Sequence, residues 1–137
     1  MTAQTQALAD FSLQVTKGST WPLRVEEDQE GEEGRFWLAK IKDEPERLEG
    51  TMTFAGQAFK EGWIVAKAQY YSLLRERGPE TARERVYKLL PTDTYLSLNH
   101  IIRLESSVNM VVDSKSKSKP KPWVLKDADR ARIEAAL

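Results

Sequence analysis

Residues 62–74 constrain the fold of this chain more than any other stretch. They read Gly-Trp-Ile-Val-Ala-Lys-Ala-Gln-Tyr-Tyr-Ser-Leu-Leu, which is rich in β-branched and aromatic side chains and is opened by a glycine. The alanines and leucines also fit a helix, but the adjacent Trp-Ile-Val and Tyr-Tyr groups favour the pleated surface of a strand. Alternate side chains of a strand point to opposite faces, and here the face with Ile64, Ala66 and Ala68 is the more apolar. The stretch therefore predicts the central strand of a small, strongly curved β-sheet.

Further short segments alternate apolar and polar residues or concentrate β-branched ones, which predicts a mainly β fold. Five or six such strands at close spacing, with no strong helix between them, are typical of a small barrel or a bent sheet. Before them, Phe11, Leu13 and Val15 alternate and predict a short strand or a docked arm. Besides the central strand, the predicted strands lie at residues 35–42, 86–90, 95–104 and 108–112; a short segment at 51–54 is the candidate sixth strand, and residues 21–25 are expected to be extended.

Changes in composition divide the chain into four parts. We expect an N-terminal arm at residues 1–20, a β-barrel domain at residues 21–112, a basic flexible linker at residues 113–122 and a short C-terminal helix at residues 123–137. The linker reads Asp-Ser-Lys-Ser-Lys-Ser-Lys-Pro-Lys-Pro, a low-complexity composition that favours an extended chain. Within the domain, six acids and two glycines at residues 26–34 predict a surface loop.

The composition excludes several kinds of protein. The 137 residues contain no cysteine, which rules out disulfides, cysteine-bound zinc and thiol catalysis. The 21 basic and 21 acidic side chains cancel, so no bulk field draws the whole chain to nucleic acid. No apolar run approaches the roughly 20 residues that span a bilayer, and the first residues show no signal pattern. We expect a soluble, intracellular protein, with the nucleus as one location.

Four segments in order carry a resemblance to a known family. They are Phe-Trp-Leu-Ala-Lys-Ile, Gly-Trp-Ile-Val-Ala-Lys-Ala-Gln-Tyr-Tyr, Val-Tyr-Lys-Leu-Leu and Leu-Ser-Leu-Asn-His-Ile-Ile-Arg-Leu. Over residues 35–112 the chain resembles the SH3-like barrels of chromatin modules and is most similar to the bromo-adjacent homology (BAH) domain. The resemblance implies a small SH3-like curved barrel of five or six short strands, followed here by the C-terminal helix. It also implies a peptide-reading groove around Trp37, Tyr70 and Tyr71, helped by an acid such as Glu32 or Glu33.

The aromatic side chains on the predicted strands suggest a binding function. Aromatic rings that line a pocket attract a cation such as a methylated lysine. The first hypothesis is therefore a non-catalytic module that binds a peptide or a histone-tail-like ligand in an aromatic-lined groove. The alternative is that these rings form the hydrophobic core, where aromatics of small barrels are common. The candidate ligand-binding residues are Trp37, Trp63, Tyr70, Tyr71, Glu32 and Glu33.

Two basic segments support a second hypothesis, a nucleic-acid-binding SH3-like barrel of a mobile-element or chromatin-associated protein. The charged residues 75–85 are broken by Gly-Pro and predict a turn, and the lysine-rich residues 115–121 follow the last strand. Both segments carry arginine or lysine side chains, the types that contact the phosphates of nucleic acids. Such binding weakens as the salt concentration rises. A solubilising linker is the alternative role for the lysines. The candidate nucleic-acid contacts are Arg75, Arg77, Arg83, Arg85, Lys115, Lys117, Lys119 and Lys121.

No motif predicts an enzyme. His100 is the only histidine, and no Asp/Glu cluster has the spacing of metal ligands, so we predict neither a metal nor another cofactor. Ser97, His100 and Asp93 contain the residue types of a catalytic triad, but no serine lies in a nucleophile elbow. A glycine-rich phosphate loop is absent from the sequence. An ordinary hydrogen-bonded His100 is the favoured interpretation.

Overall fold

The computed structural model describes residues 10–25 and 35–137. The predicted acidic loop, with Glu32 and Glu33, lies outside the described residues. Within them, the predicted predominantly β fold with a C-terminal helix is confirmed. The elements are β1 (Thr20–Arg24), β2 (Phe36–Ile41), β3 (Glu46–Arg47), β4 (Met52–Phe54), β5 (Gln57–Phe59), β6 (Ile64–Arg77), β7 (Glu84–Ser97), β8 (Val111–Val112), β9 (Trp123–Leu125) and α1 (Asp127–Ala135), with 3-10 turns at Glu80–Ala82 and Leu98–His100.

Seven of the strands form one antiparallel sheet. Six of them follow the order β1-β2-β6-β7-β9-β8, and β3 pairs with the beginning of β6. The strands β4 and β5 form a separate hairpin. The order is an open path, but isolated bridges join Leu23 to Ile101 and Thr20 to Val108. The segment that leads into β8 at one edge of the sheet therefore also contacts β1 at the other edge.

The hairpin of β6 and β7 is the longest part of the sheet. The predicted central strand is confirmed and extends further than expected, to Arg77. The two strands predicted at 86–90 and 95–104 are one strand up to Ser97, where a 3-10 turn begins. Proline has no N–H to donate, and Pro91 fits inside β7 because β9 pairs with β7 only at residues 85–87. The predicted end of a strand at residue 90 is therefore wrong, and the pairing with β6 is irregular between Leu89 and Asp93.

Two clusters of buried side chains lie on opposite faces of this sheet. The side chains of Ala39 and Ile41 belong to one cluster, and those of Phe36 and Leu38 on the same strand belong to the other. Period-two alternation explains this division of β2. The first core contains Phe11, Val15, Trp21, Leu23, Ala39, Ile41, Ile64, Ala66, Ala68, Leu96, Leu98 and Ile101. The second core contains Phe36, Leu38, Tyr71, Tyr87, Ile102, Val108, Leu125 and Ile133.

The strand β6 contributes to both cores, but with different halves. Its face with Ala66 and Ala68 packs in the first core, as the sequence predicts. Further along, the opposite face buries Tyr71 in the second core. A register shift against β7 falls between Gln69 and Tyr71. Val65, on the face opposite Ala66 and Ala68, is also fully buried, so a single apolar face does not describe this strand.

Both ends of the described chain dock on the sheet. Residues 10–12 are helical rather than extended, so the predicted short strand is wrong. Phe11 and Val15 are buried whereas Leu13 is exposed, which agrees with the alternative prediction of a docked arm. At the other end, Trp123–Leu125 forms β9 in the sheet instead of leading directly into the helix. Residues 113–122 thus connect two strands of one sheet. None of the helices in the described residues has the length and apolar character that crossing a bilayer requires.

Candidate functional site

A pocket of about 500 Å³ opens beside the first core, and we call it the aromatic pocket. The end of β1, the strands β2, β6 and β7, the hairpin of β4 and β5, and the 3-10 turn after β7 all contribute to it. Its position between several elements is typical of a binding site. The lining residues are Leu23, Arg24, Val25, Trp37, Gln57, Tyr70, Tyr95, Leu96 and His100.

Two predicted residues, Trp37 and Tyr70, form one wall of the aromatic pocket. Their ring centroids are 6.0 Å apart and the ring planes meet at 83°. The strands β2 and β6 position them, because Tyr70 is paired with Ala39, two residues from Trp37 on the same face. Both rings are partly buried and pack against the first core, which limits their motion. The site thus presents two nearly perpendicular aromatic faces on paired strands.

Tyr95 is a third aromatic residue of the pocket, and the sequence reasoning did not select it as a site residue. Its ring meets that of Phe54 on β4, with centroids 5.0 Å apart and an angle of 73°. The hairpin of β4 and β5 therefore supports Tyr95 and also supplies Gln57 to the lining. The sequence contains no local signal for this contact, because the two aromatic residues are 41 positions apart.

Few ionisable side chains line the described part of the aromatic pocket. Arg24 and His100 belong to the lining, but both side chains are exposed to water, which screens the charge of Arg24. Burial raises the pKa of the Tyr70 phenol, so its ring stays neutral at physiological pH. The described lining contains no carboxylate. The role of Glu32 and Glu33 stays a prediction.

The structure does not bring Tyr71 or Trp63 into the aromatic pocket. Adjacent residues of a strand point to opposite faces, so Tyr71 lies in the second core, where its hydroxyl is 3.3 Å from Thr20 Oγ1. Trp63 precedes β6 and is seven residues from Tyr70, a distance of roughly 23 Å along a strand. Tyr71 is therefore a core residue, as the alternative interpretation of the aromatic side chains expects. Trp37 and Tyr70 line a pocket, which fits the interpretation as ligand-binding residues.

Acidic partners accompany all four predicted nucleic-acid-binding arginines. The predicted turn at residues 75–85 is a loop at 78–83 only, because β6 and β7 extend into the segment on both sides. The buried carboxylate of Asp113 is 3.1 Å from the Arg77 guanidinium. The same arginine contacts Glu84. The ion pairs are Arg75–Asp113, Arg77–Asp113, Arg77–Glu84, Arg83–Glu76 and Arg85–Glu76.

Arg85 is the most enclosed of these arginines. It is 8% exposed, and its guanidinium lies 5.2 Å from the centroid of the Phe36 ring. Burial disfavours its charge, but contacts with Tyr87 and Glu76 outweigh burial and raise the pKa. This residue is a structural part of the sheet, with little surface for a phosphate.

The lysine-rich residues 115–121 form a folded-back loop rather than an extended linker. The Asp113 amide donates to the Pro122 carbonyl at 2.9 Å, which closes the loop at its base. Lys121 Nζ donates to the carbonyls of Ser114 and Ser116, at 2.9 and 2.7 Å. The ends of the segment are therefore fixed on the sheet, whereas Lys115, Lys117 and Lys119 extend from its exposed part.

Comparisons with protein-family models, curated proteins and solved structures found no match to this chain. The similarity to the BAH domain therefore stays a prediction from the sequence. Among residues 10–25 and 35–137, no three His, Cys, Asp or Glu side chains are grouped so that they could hold a metal ion. The geometry of the aromatic pocket is therefore the basis for a functional proposal.

The buried tyrosines lead to a prediction about alkaline pH. Burial raises the pKa of Tyr70 and of Tyr71, and the Thr20 hydrogen bond opposes part of the rise for Tyr71. Both phenols should therefore ionise later in the folded protein than in the unfolded chain. Because the folded pKa is the higher one, the stability that these phenols contribute is complete below the ordinary tyrosine pKa of 10.0 and is lost as pH rises through the folded pKa.

Absorbance at 295 nm during a titration to high pH measures this effect. Tyr70→Phe should remove part of the late absorbance change, and the same proteins in denaturant should show no late component. A folded protein whose titration curve is superimposable on that of the denatured protein would contradict the prediction.

Proposed function

We propose that this protein is a non-catalytic interaction module that inserts a cationic side chain of a peptide into the aromatic pocket. The methylated lysine of a histone-tail-like peptide is the ligand that fits best. The perpendicular pair of Trp37 and Tyr70 is the observation that carries the proposal. A pair of this kind surrounds a cation from two directions with the negative faces of the rings.

A methylated lysine suits this pocket better than an unmodified one. Methylation keeps the charge of the ammonium group and covers it with apolar groups, which reduces the cost of leaving water. Each cation–π contact contributes about 0.5 to 2 kcal/mol, depending on desolvation. The pocket also has the size of sites that hold small ligands or single side chains.

The ion pairs of the arginines favour peptide binding over nucleic-acid binding. Each of Arg75, Arg77, Arg83 and Arg85 has an acidic neighbour, which reduces the positive potential that a phosphate backbone needs. Nucleic-acid binding through the lysines remains the alternative hypothesis.

Amide NMR spectra recorded during a peptide titration test the proposal. A short peptide with one trimethyllysine should shift the amides near Trp37, Tyr70 and Tyr95, and the Trp37 indole N–H, more strongly than its unmodified form. Tyr70→Leu keeps apolar bulk but removes the π-face, so affinity for the trimethylated peptide should fall about 2- to 30-fold.

Trp63→Leu is the matched control, because it also replaces an aromatic residue by leucine but lies outside the aromatic pocket. It should leave peptide affinity unchanged. An equal loss in both variants, or shifts at other residues only, would overturn the proposal. Shifts at residues 75–85 and 115–121 on adding a DNA duplex, with a steep dependence on salt, would support the nucleic-acid hypothesis instead.

A further inference from the structure

We propose that a second surface of this protein binds an extended acidic peptide of a partner protein whose apolar side chains alternate with carboxylates. The surface is a groove of about 890 Å³ that we call the lysine groove. It is separate from the aromatic pocket. The aromatic pocket is proposed to bind a cation, whereas the lysines of this groove require an anionic ligand. Its lining consists of residues 88–91 of β7, residues 118–123, and Gln69, Leu74 and Val112.

The groove exists because the chain leaves the sheet before β9. The strands β7 and β9 are paired from Arg85–Leu125 to Tyr87–Trp123, and their pairing ends at Tyr87 and Trp123. Preceding Trp123, the sequence has prolines at 120 and 122, which have no N–H for a further ladder. Residues 118–122 therefore diverge from β7, and the space between them forms the groove.

The floor of the lysine groove is unusually apolar for an exposed surface. The exposed fractions are 50% for Leu74, 36% for Leu90 and 41% for Val112. These are three of the six large hydrophobic side chains that are exposed in the described part of the chain. Such concentration of apolar surface marks interaction sites. Trp123 lies beside them and is partly buried.

The charge around this floor is positive. Lys88, Lys119 and Lys121 line the groove, and no acidic side chain does so among the described residues. Lys121 donates to two backbone carbonyls, which hold its ammonium group without neutralising it. Neither Lys88 nor Lys119 forms an ion pair within residues 10–25 and 35–137. This differs from the neighbouring arginines, which are paired with acids.

Charge and shape together identify the occupant. Aliphatic side chains such as Leu74 and Leu90 offer little to a phosphate backbone, but they can bury the apolar side chains of a peptide. In an extended peptide alternate side chains point in opposite directions, so apolar groups reach the floor while carboxylates point towards solvent, where the long, exposed side chains of Lys88 and Lys119 can reach them. A partner segment that alternates Glu or Asp with Leu or Val satisfies both features.

A fluorescein-labelled ten-residue peptide of alternating Glu and Leu is the probe. Fluorescence polarisation should show binding, with amide shifts at residues 88–91 and 118–123. Two further peptides separate the contributions, one alternating Lys and Leu and one alternating Glu and Ser, and both should bind at least tenfold more weakly. Equal binding of the Glu-Ser peptide would show attraction by charge alone and would overturn the proposal.

Paired variants locate the site. The double change Lys88→Glu with Lys119→Glu places like charges against the peptide and should weaken binding at least tenfold. The matched control is Lys115→Glu with Lys117→Glu, which makes the same change of charge outside the groove lining and should alter affinity less than threefold. Tyr70→Leu should have no effect, so this result is independent of the aromatic pocket. Amide spectra of the free variants check that each is folded.

Other outcomes contradict the inference. Equal loss in both lysine pairs, or shifts that avoid the groove, would show that the peptide binds elsewhere. A DNA duplex that displaces the peptide and loses affinity through the same Lys88 and Lys119 changes would assign the groove to nucleic acid.

Discussion

Replacing Leu38 by alanine should lower the free energy of unfolding by about 2 to 5 kcal/mol. The side chain of Leu38 is fully buried in the second core, and β2 holds it between β1 and β6. The shorter side chain leaves a cavity, because β2 is hydrogen-bonded to β1 and β6 and the surrounding structure relaxes only in part. A domain of this size is stable by about 5 to 15 kcal/mol, so the loss is a large share of the total. Urea denaturation followed by tryptophan fluorescence measures it.

Leu13→Ala is the control for this prediction. The chemical change is identical, but Leu13 is 79% exposed, so the free energy of unfolding should change by no more than about 0.5 kcal/mol. If the two variants moved the denaturation midpoint equally, the placement of Leu38 in the core would be wrong.

Ending the chain after Asp113 should abolish folding. This truncation removes β9, whose Val124 and Leu125 are buried, and removes Ile133 of the second core. It also exposes the edge of β7 at residues 85–87. The expected result is an amide spectrum with the narrow dispersion of an unfolded chain.

A shorter truncation separates the strand from the helix. Ending the chain after Lys126 keeps β9 but removes α1, whose one buried residue is Ile133. This form should stay folded with a lower denaturation midpoint. Changing Lys115, Lys117 and Lys119 to glutamine is the control for the loop itself and should leave the midpoint nearly unchanged. A folded protein that ends at Asp113 would restore the predicted domain boundary before residue 113.

The local pattern of β6 was sufficient to predict its existence and the burial of its face with Ala66 and Ala68. Its extension to Arg77 was not predictable in this way, because Arg75–Arg77 is charged and has no apolar alternation. That part is a strand because Arg75, Glu76 and Arg77 are paired with Val86, Arg85 and Glu84 on β7. Pairing between strands, rather than propensity, decides the conformation there.

The place of β9 in the sheet shows a second limit of the sequence. Trp123–Leu125 is short, and the low-complexity segment before it resembles a flexible linker. Its partner on β7 is 36 to 40 residues earlier in the chain, so no local pattern links them. The hydrogen bond from Asp113 to Pro122 and the pairing with β7 are tertiary contacts that override the composition.

The candidate site was predictable in part. Trp37 and Tyr70 were selected for their aromatic character and do line the aromatic pocket. Tyr71 was selected with Tyr70 because the resemblance to the BAH domain implies a groove around both, although adjacent residues of a strand place their side chains on opposite faces. The contribution of Tyr95 depends on a separate hairpin, which the sequence indicated only as a short strand. The lysine groove depends on where the chain leaves the sheet, which is a property of the fold.

The long hairpin of β6 and β7 has a thermodynamic consequence. Each strand contributes side chains to both cores. If one core unfolded, half of the hairpin would lose its packing while the other half stayed packed in the remaining core. We therefore expect the two cores to be coupled and to melt as one cooperative unit. A ligand bound on either side of this hairpin then stabilises the entire unit, by a free energy that grows with the logarithm of the ligand concentration above its Kd. Thermal melting of the intact protein consequently reports on both surfaces at once.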